Sequence, residues 1–206
     1  PLSLLSLDGC IVTADALHCR ADTARAILAS GADYALAVKA NQPTLLAQAQ
    51  ALIAAASPEL EAMEGPAWAH DRLESRVALV VAANHIDFPG IAAVARVVTH
   101  RNTANQPEPA IMRWYVLSTL VSASRMLELA RTHWSIENQL HWVLDVDFQE
   151  DAARSRKDNA PQNLAIIRKL ALNLIRHSPQ KGSIKGKIKR AAWNDDFLIS
   201  LLTHMR

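Results

Sequence analysis

The first quarter of the chain alternates between two kinds of hydrophobic pattern. Residues 10–17 (CIVTADAL) and 33–40 (DYALAVKA) are apolar runs with β-branched residues, typical of buried strands. Residues 21–31 and 44–56 are rich in alanine and are predicted to be helices, the first ending at a glycine. The order strand, helix, strand, helix favours a mostly parallel sheet, so the sequence predicts an α/β fold.

The pattern changes in the middle of the chain. Residues 57–68 are predicted to form a loop. Three later segments alternate between apolar and polar residues and are predicted to be antiparallel strands: 72–86, 94–101 and 112–120. A β-rich middle section is therefore expected after the α/β opening.

The last third of the chain has helical patterns. Helices are predicted over 124–144 and 161–177, with a charged turn between them. Residues 181–190 (KGSIKGKIKR) are predicted to be a flexible basic segment, and residues 193–202 a short terminal helix.

Composition and charge restrict the classes of protein that fit. Half of the 206 residues are hydrophobic, but the sequence contains no run of eighteen apolar residues, which a membrane-spanning helix would need. Residues 1–150 carry 10 Lys and Arg against 16 Asp and Glu, a net charge of −6, whereas residues 151–206 carry 12 against 4, a net charge of +8. A basic C-terminal part suggests a polyanionic partner, and a solvated basic helix is the alternative.

The chain has two cysteines, Cys10 and Cys19. They are expected to be reduced thiols of a cytosolic protein; a disulfide or a pair of metal ligands is the less favoured interpretation.

Four potential metal ligands recur every four residues in RTHWSIENQLHWVLDVD (131–147). They are His133, Glu137, His141 and Asp145. Four residues advance an α-helix by about 400°, so these side chains project along one side of the helix predicted there. A solvated face with i,i+4 pairs is one interpretation, and a carboxylate held near a metal with polar neighbours is the other.

Asp15 stands at the carboxyl end of the first predicted strand. In α/β folds this is a common position for a metal-binding or catalytic carboxylate. A helix-capping or turn residue is the alternative interpretation.

Basic residues occur in three groups. In HDRLESR (70–76), alternate residues would share one face of a strand, and that face meets solvent, nucleic acid or a protein partner. Two further groups lie in the C-terminal part, where Lys and Arg in Gly- and Ser-containing segments suit phosphate contacts that do not depend on base sequence. These two groups are Arg154, Arg156 and Lys157, and Lys181, Lys185, Lys187, Lys189 and Arg190.

Four stretches closely resemble the DDE-type insertion-sequence transposases of the H-repeat-associated family. They are IVTADALHCR, DYALAVKANQPTL, HDRLESR and RTHWSIENQLHWVLDVDFQEDAARSRKDNAPQNLAIIRKLALNL, and the likeness extends through SIKGKIKRAAWNDDFL. The resemblance implies an RNase H-like catalytic core with a β-rich insertion. The implied parts are a partial core (1–56), the insertion (57–122), core helices carrying the glutamate (123–178) and a basic tail (179–206).

Such transposases use three acidic residues and two Mg²⁺ ions for phosphodiester hydrolysis and strand transfer. The resemblance assigns the second acidic residue to Asp15 and the metal-binding glutamate to Glu137. Because Mg²⁺ prefers carboxylate and water ligands, His133, His141 and Asp145 are expected to position the glutamate or contact DNA.

Two departures from the family pattern affect these expectations. The family's arginine, four residues before the glutamate, is replaced by His133, and its lysine, seven residues after the glutamate, is replaced by Leu144. Arg131 or a basic residue beyond Asp145 is the candidate for the missing phosphate contact. The family's first aspartate lies on an earlier strand, and Asp8 is a poor match for it. We therefore expect the chain to be the C-terminal part of a transposase, with little or no cleavage activity by itself.

The resemblance also implies partners. These are double-stranded DNA at insertion-sequence ends and at the target, in the bacterial cytoplasm at the nucleoid, with a second copy of the chain as a further candidate. The alternatives are an inactive, truncated remnant that binds DNA through its basic C-terminal segment, and a histidine/carboxylate metalloprotein built on residues 133–145. The residues expected to contact DNA are His70, Arg72, Arg76, Arg131, His133, Arg154, Arg156, Lys157, Lys185, Lys187, Lys189 and Arg190.

Overall fold

A computed structural model describes most of the chain in two compact units, residues 1–133 and 134–206. The described residues are 5–57, 61–69, 72–83, 85–103, 106–107 and 109–203.

The first unit opens with the predicted alternation of strands and helices. Its elements are β1 (Ile11–Ala14), α1 (Ala21–Ala29), β2 (Asp33–Val38) and α2 (Pro43–Ala54). Strand β1 pairs with β2 in parallel, with Ile11 opposite Asp33. The carboxyl ends of these two strands therefore lie at the same edge of the sheet.

The strands that follow extend the same sheet in antiparallel fashion. They are β3 (Glu61–Ala69), β4 (Arg72–Ala82), β5 (Ala93–Thr103), β6 (Gln106–Pro107) and β7 (Ile111–Leu117). Over the described residues the strand order is β1-β2-β7-β5-β4-β3, and the short β6 pairs with β5. The expected α/β class is confirmed, but the mostly parallel sheet was wrong: among the described strands only β1 and β2 pair in parallel, and the later strands join the same sheet in antiparallel fashion. Whether residues 57–122 are a separate insertion stays a prediction.

Strand β3 corrects one expectation, because residues 57–68 were predicted to form a loop. The Gly65-Pro66 pair interrupts the strand pattern, but β3 lies at the end of the strand order, and edge strands and bulges are where proline is tolerated. The pairing of β3 with β4 shifts register between Glu64 and Ala67, which accommodates both residues within one strand.

The two faces of the sheet pack against different helices. Tyr34, Leu36 and Val38 of β2 belong to a core that includes residues of α1 and α2. The intervening Ala35 and Ala37 face the other way, into a core that includes helix α3 (Ala123–Ile136). Several small side chains on that face let α3 approach the sheet closely. They include Ala35, Ala37, Ala78, Ala93 and Ala95.

The second unit is helical over its described residues. After a π-helical turn (Glu137–His141) come α4 (Trp142–Val146), α5 (Ala160–His177), α6 (Ile184–Trp193) and α7 (Asp195–Thr203). The helices predicted over 161–177 and 193–202 are confirmed as α5 and α7.

Helix α6 corrects a second expectation, because residues 181–190 were predicted to be flexible. Ser183 caps the helix: its Oγ accepts a hydrogen bond of 3.1 Å from the Gly186 N–H. Ile184, Ile188 and Ala191 pack into apolar clusters with residues of α5 and α7. Capping and burial of this stripe together stabilise a helix in a segment rich in lysine.

Two sequence-based expectations concern the environment of the chain. Among the described helices, none combines the length and apolar character needed to cross a lipid bilayer. Cys10 and Cys19 are both free thiols, and burial raises the pKa of Cys19 to about 11. A thiol with so high a pKa is a poor nucleophile, which fits a packing role.

Leu36→Ala is expected to lower the free energy of unfolding by about 2–5 kcal/mol, because Leu36 is fully buried between the sheet and the first pair of helices. The matched control Leu17→Ala truncates a side chain that is 79% exposed and should change it by less than about 0.5 kcal/mol. Urea denaturation followed by circular dichroism measures both. Equal losses would contradict this assignment of the core.

Candidate active site

Asp15 directly follows β1, at the carboxyl end of the parallel pair. Ile11 packs into the core that includes α3, and Thr13 and Asp15 follow at two-residue intervals in extended backbone, so all three point to that face. The Asp15 side chain is 63% exposed. It makes no capping hydrogen bond within the short 3₁₀ turn that it precedes, Ala16–His18. Its carboxylate is therefore available to a ligand.

Two amide side chains fasten the turn that follows Asp15. Asn41 Nδ2 donates a hydrogen bond of 2.8 Å to the Ala16 carbonyl, and Gln42 Nε2 donates one of 2.9 Å to the Cys19 carbonyl. Both amides come just after β2. In the sequence these two amides indicate only a break between a strand and a helix. Their position after the second of two parallel strands could have indicated that they lie near Asp15.

His133 brings helix α3 to the end of β1. Its Nδ1 lies 3.1 Å from Thr13 Oγ1, and its Nε2 lies 3.4 Å from Asp15 Oδ1. A carboxylate only accepts hydrogen bonds, so a ring that bonds Asp15 carries a proton on Nε2. The Thr13 hydroxyl can donate to Nδ1 or accept from it, so it suits either state of that nitrogen. The contact with Asp15 is longer than usual, so the contact with Thr13 is the stronger of the two.

Tyr115 lies beneath this group of side chains, in the same core as α3. Burial raises the pKa of its hydroxyl; Arg113 opposes this shift, and the negative charge of Asp15 adds to it.

Glu137 belongs to the second unit, where it is exposed and begins the π-helical turn. The Trp142 N–H donates to the Glu137 carbonyl, five residues back, which is the π pattern. Arg176 of α5 donates a hydrogen bond to the Gln139 carbonyl within the turn. The single regular helix predicted over 124–144 is thus interrupted at the glutamate, and π turns often occur at functional sites.

The other members of the four-residue stripe differ in exposure. His141 is exposed and Asp145 is half-buried, next to Val143 and Leu144, which pack in an apolar cluster with Leu172. Within the part of the chain that the structure describes, no three His, Cys, Asp or Glu side chains stand close enough together to hold a metal ion.

The predicted DNA-contacting arginines of the first unit lie in a network of ion pairs. Arg131 and Arg76 both pair with Glu64, which is opposite Arg76 on the neighbouring strand. Arg76 also pairs with Glu74, whose other oxygen lies 3.3 Å from Arg101 Nε. Phosphate binding here would compete with these carboxylates. His70 and the side chain of Arg72 lie outside the described part of the chain.

Arg154, Arg156 and Lys157 lie in the exposed segment between α4 and α5. Arg156 donates hydrogen bonds of 2.6 and 3.2 Å to the carbonyls of Ala153 and Ser155. These bonds fold its side chain back onto its own loop. No such bond fixes Arg154 or Lys157 among the residues described.

The cations of α6 divide into two kinds. Lys187 Nζ donates hydrogen bonds of 3.1 Å to the carbonyls of Ile175 and Ser178, at the end of α5. The Arg190 guanidinium lies over the Phe197 ring, 4.6 Å from its centre. Lys185 and Lys189 are exposed. The sequence grouped these four residues together, but the helix gives two of them internal partners.

Comparisons with known proteins agree on one family. A model of the transposase DDE domain matches residues 2–174. The putative protein YbfL of Escherichia coli K12 is 32% identical over 98% of this chain and 57% of its own length. The putative transposase YncI of E. coli O157:H7 is 33% identical, and the H repeat-associated putative transposase YhhI of E. coli K12 is 31% identical. Both of these matches cover 98% of this chain but only 55% and 57% of the relatives, so the chain spans little more than half their length.

We expect the contact between Thr13 and His133 to be energetically coupled. In a double-mutant cycle of Thr13→Val and His133→Phe, the coupling free energy should be about 0.5–1.5 kcal/mol, the net value of one typical intramolecular hydrogen bond. Urea denaturation of the four proteins measures it. The control cycle pairs Thr13→Val with Glu128→Gln, an exposed change on the same helix, and should be additive. Additivity in the first cycle would exclude the contact.

Lys187→Ala is expected to lower the free energy of unfolding by about 1–2 kcal/mol, because it removes a charged donor from two carbonyls at the end of α5. Lys185→Ala, two residues away and exposed, should change it by less than about 0.5 kcal/mol. Thermal or urea unfolding compares them. A larger loss for Lys185→Ala would show that the two lysines have been assigned the wrong roles.

Proposed function

The chain belongs to the transposase DDE domain family, and from this premise we propose that it forms part of the catalytic region of a DNA transposase. The proposed reaction is Mg²⁺-dependent hydrolysis of phosphodiester bonds at insertion-sequence ends, followed by transfer of the freed 3′ ends to target DNA. The proposed substrates are double-stranded insertion-sequence ends and target DNA, met at the bacterial nucleoid.

Asp15 and Glu137 are the proposed metal-binding carboxylates. The strongest support is the position of Asp15, exposed at the carboxyl end of a parallel strand and in contact with His133. His133 precedes Glu137 by four residues, about one helical turn in the sequence. The support for Glu137 is its place in the family-like segment RTHWSIENQLHWVLDVD.

The donor chemistry of these two residues suits Mg²⁺. This ion prefers oxygen ligands and is commonly held by one or two carboxylates, with water and substrate phosphates completing its coordination. His133 is better suited to orienting Asp15 than to binding the ion itself. When bound, the metal would polarise the phosphoryl group and make an attacking water or hydroxyl more nucleophilic.

The fold is proposed to be RNase H-like. The parallel β1–β2 pair with α1 and α2 would form the first part of the core (1–56). The helices of residues 123–178 would form its last part. Residues 57–122 would then be the insertion, continuous with the core sheet, and residues 179–206 the basic C-terminal part.

DNA contact is proposed for the exposed cations that the fold leaves available. Arg154, Lys157, Lys185 and Lys189 are exposed and lie in the part of the chain with a net charge of +8. Lys187 and Arg190 are proposed to act indirectly, by stabilising the helices that carry the others.

Asp15→Asn and Glu137→Gln are each expected to weaken binding of Mn²⁺, a spectroscopic substitute for Mg²⁺, by at least about tenfold, because each removes a charged ligand. Electron paramagnetic resonance of free Mn²⁺ measures this on the purified chain. The matched control is Asp151→Asn, an exposed carboxylate elsewhere, which should leave the affinity unchanged. Equal affinities in all four proteins would refute the metal site.

A plasmid-nicking assay separates catalysis from mere DNA binding. Supercoiled plasmid is incubated with Mg²⁺ and the wild-type chain, Asp15→Ala or Glu137→Ala. Nicking by the wild type above both variants supports the transposase reaction. Because little or no cleavage is expected from the chain by itself, the same background in all three favours a non-catalytic remnant only when DNA is still bound and the Mn²⁺ test finds no metal site.

A further inference from the structure

Helix α6 has one face fixed by packing. Ile184, Ile188 and Ala191 lie in apolar clusters, and the stem of Lys187 runs on the same side to reach the end of α5. Their spacing of three and four residues is that of a single helical face. The rest of the helix surface faces away from these clusters.

The opposite side carries a row of three exposed residues, Lys185, Lys189 and Trp193, which we call the α6 row. Four residues separate each from the next, so the row is about 12 Å long at 1.5 Å per residue. Trp193 is 81% exposed. An indole on the polar side contradicts the amphipathic pattern that the rest of the helix obeys.

Folding does not account for the α6 row. Two lysines four residues apart on a helix repel each other and destabilise it slightly. Over the described part of the chain, neither Lys185 nor Lys189 has an acidic partner to offset that repulsion. An exposed tryptophan likewise gives up the large stabilisation that burial of an indole provides. The three residues are therefore better explained by a role in binding a ligand than by a role in stabilising the helix.

The chemistry of the α6 row matches unpaired DNA. Lysines held along one line bind phosphates without reading sequence, and an aromatic side chain stacks on the face of a base. Base faces in a duplex are covered by neighbouring base pairs, so an indole reaches one only in a single strand or at a frayed end. Residues 151–206 have a net charge of +8, which favours a nucleic acid over an acid-poor protein partner.

We propose that the α6 row binds single-stranded or frayed DNA, with Lys185 and Lys189 on the phosphates and Trp193 stacked on a base. The inference rests on the proposed function, because hydrolysis and strand transfer expose such DNA ends. It adds a preference for unpaired bases that a basic surface alone would not give.

The test measures binding without any cleavage. Fluorescence anisotropy in EDTA compares a labelled oligothymidine of about 20 nucleotides with a blunt duplex of the same length, over a range of salt concentrations. Trp193→Ala should weaken binding of the single strand by roughly 5- to 100-fold and of the duplex by less than about twofold. Trp193→Phe keeps a stacking ring and should retain most of the affinity.

The two lysines are tested through the salt dependence. Lys185→Ala with Lys189→Ala should reduce the slope of log K against log salt by about 1.4 for the single strand, about 0.7 for each phosphate that the protein no longer neutralises. The control, Arg25→Ala with Lys169→Ala, removes the same charge from exposed positions on α1 and α5 and should leave the slope unchanged.

The results separate the two proposals. Loss of Trp193 that affects strand and duplex equally, or neither, overturns the α6 row, as does an unchanged slope in the double lysine variant while circular dichroism shows a folded protein. This test uses no metal ion, and the Mn²⁺ test of the metal site uses no DNA. The α6 row can therefore fail while the metal site holds, or hold while the metal site fails.

Discussion

Parallel pairing of β1 with β2 is the constraint on which the first unit depends. It places the carboxyl ends of both strands at one edge, so the turn after β1 can be fastened by the two amides that follow β2. The alanine face of the same sheet then allows α3 to pack closely enough for His133 to meet Thr13 and Asp15. An exposed carboxylate is thus held by buried, apolar packing beneath it. Bulkier side chains on that face would move the helix and separate the contact.

The side of α6 on which each basic residue lies determines whether it stabilises the protein or is free to bind a ligand. Lys185, Lys187, Lys189 and Arg190 differ little as amino acids, yet Lys187 reaches the end of α5 and Arg190 lies over an aromatic ring. The remaining two face solvent in line with Trp193. A substitution that treated all four as one basic patch would therefore mix losses of stability with losses of binding.

The sequence predicted the elements with dense, uninterrupted hydrophobic patterns, and these include β1, α1, β2, α2 and α5. It missed β3 because Gly65-Pro66 resembles a break, and an edge strand tolerates both residues. It missed α6 because the segment is rich in glycine and lysine, which favour a flexible loop. The apolar stripe of the helix is short, and its last residue, Ala191, lies beyond the segment predicted to be flexible. The π turn at Glu137 leaves no period in the sequence, since it differs from the neighbouring α-helix in which carbonyl a backbone N–H reaches. Asp15 was singled out from the sequence, but only tertiary packing could bring His133 and Thr13 together beside it. The assignment of Glu137 came from family resemblance and not from periodicity.

We propose that Asp15 and Glu137, 122 positions apart in the chain, hold the same divalent ions. Anomalous diffraction from crystals grown with Mn²⁺ would show whether both carboxylates bind one ion. We expect a strong anomalous peak with oxygen atoms of both carboxylates about 2.1 Å from the ion. A peak coordinated by only one of them, or two carboxylates directed at separate regions of solvent, would contradict the claim.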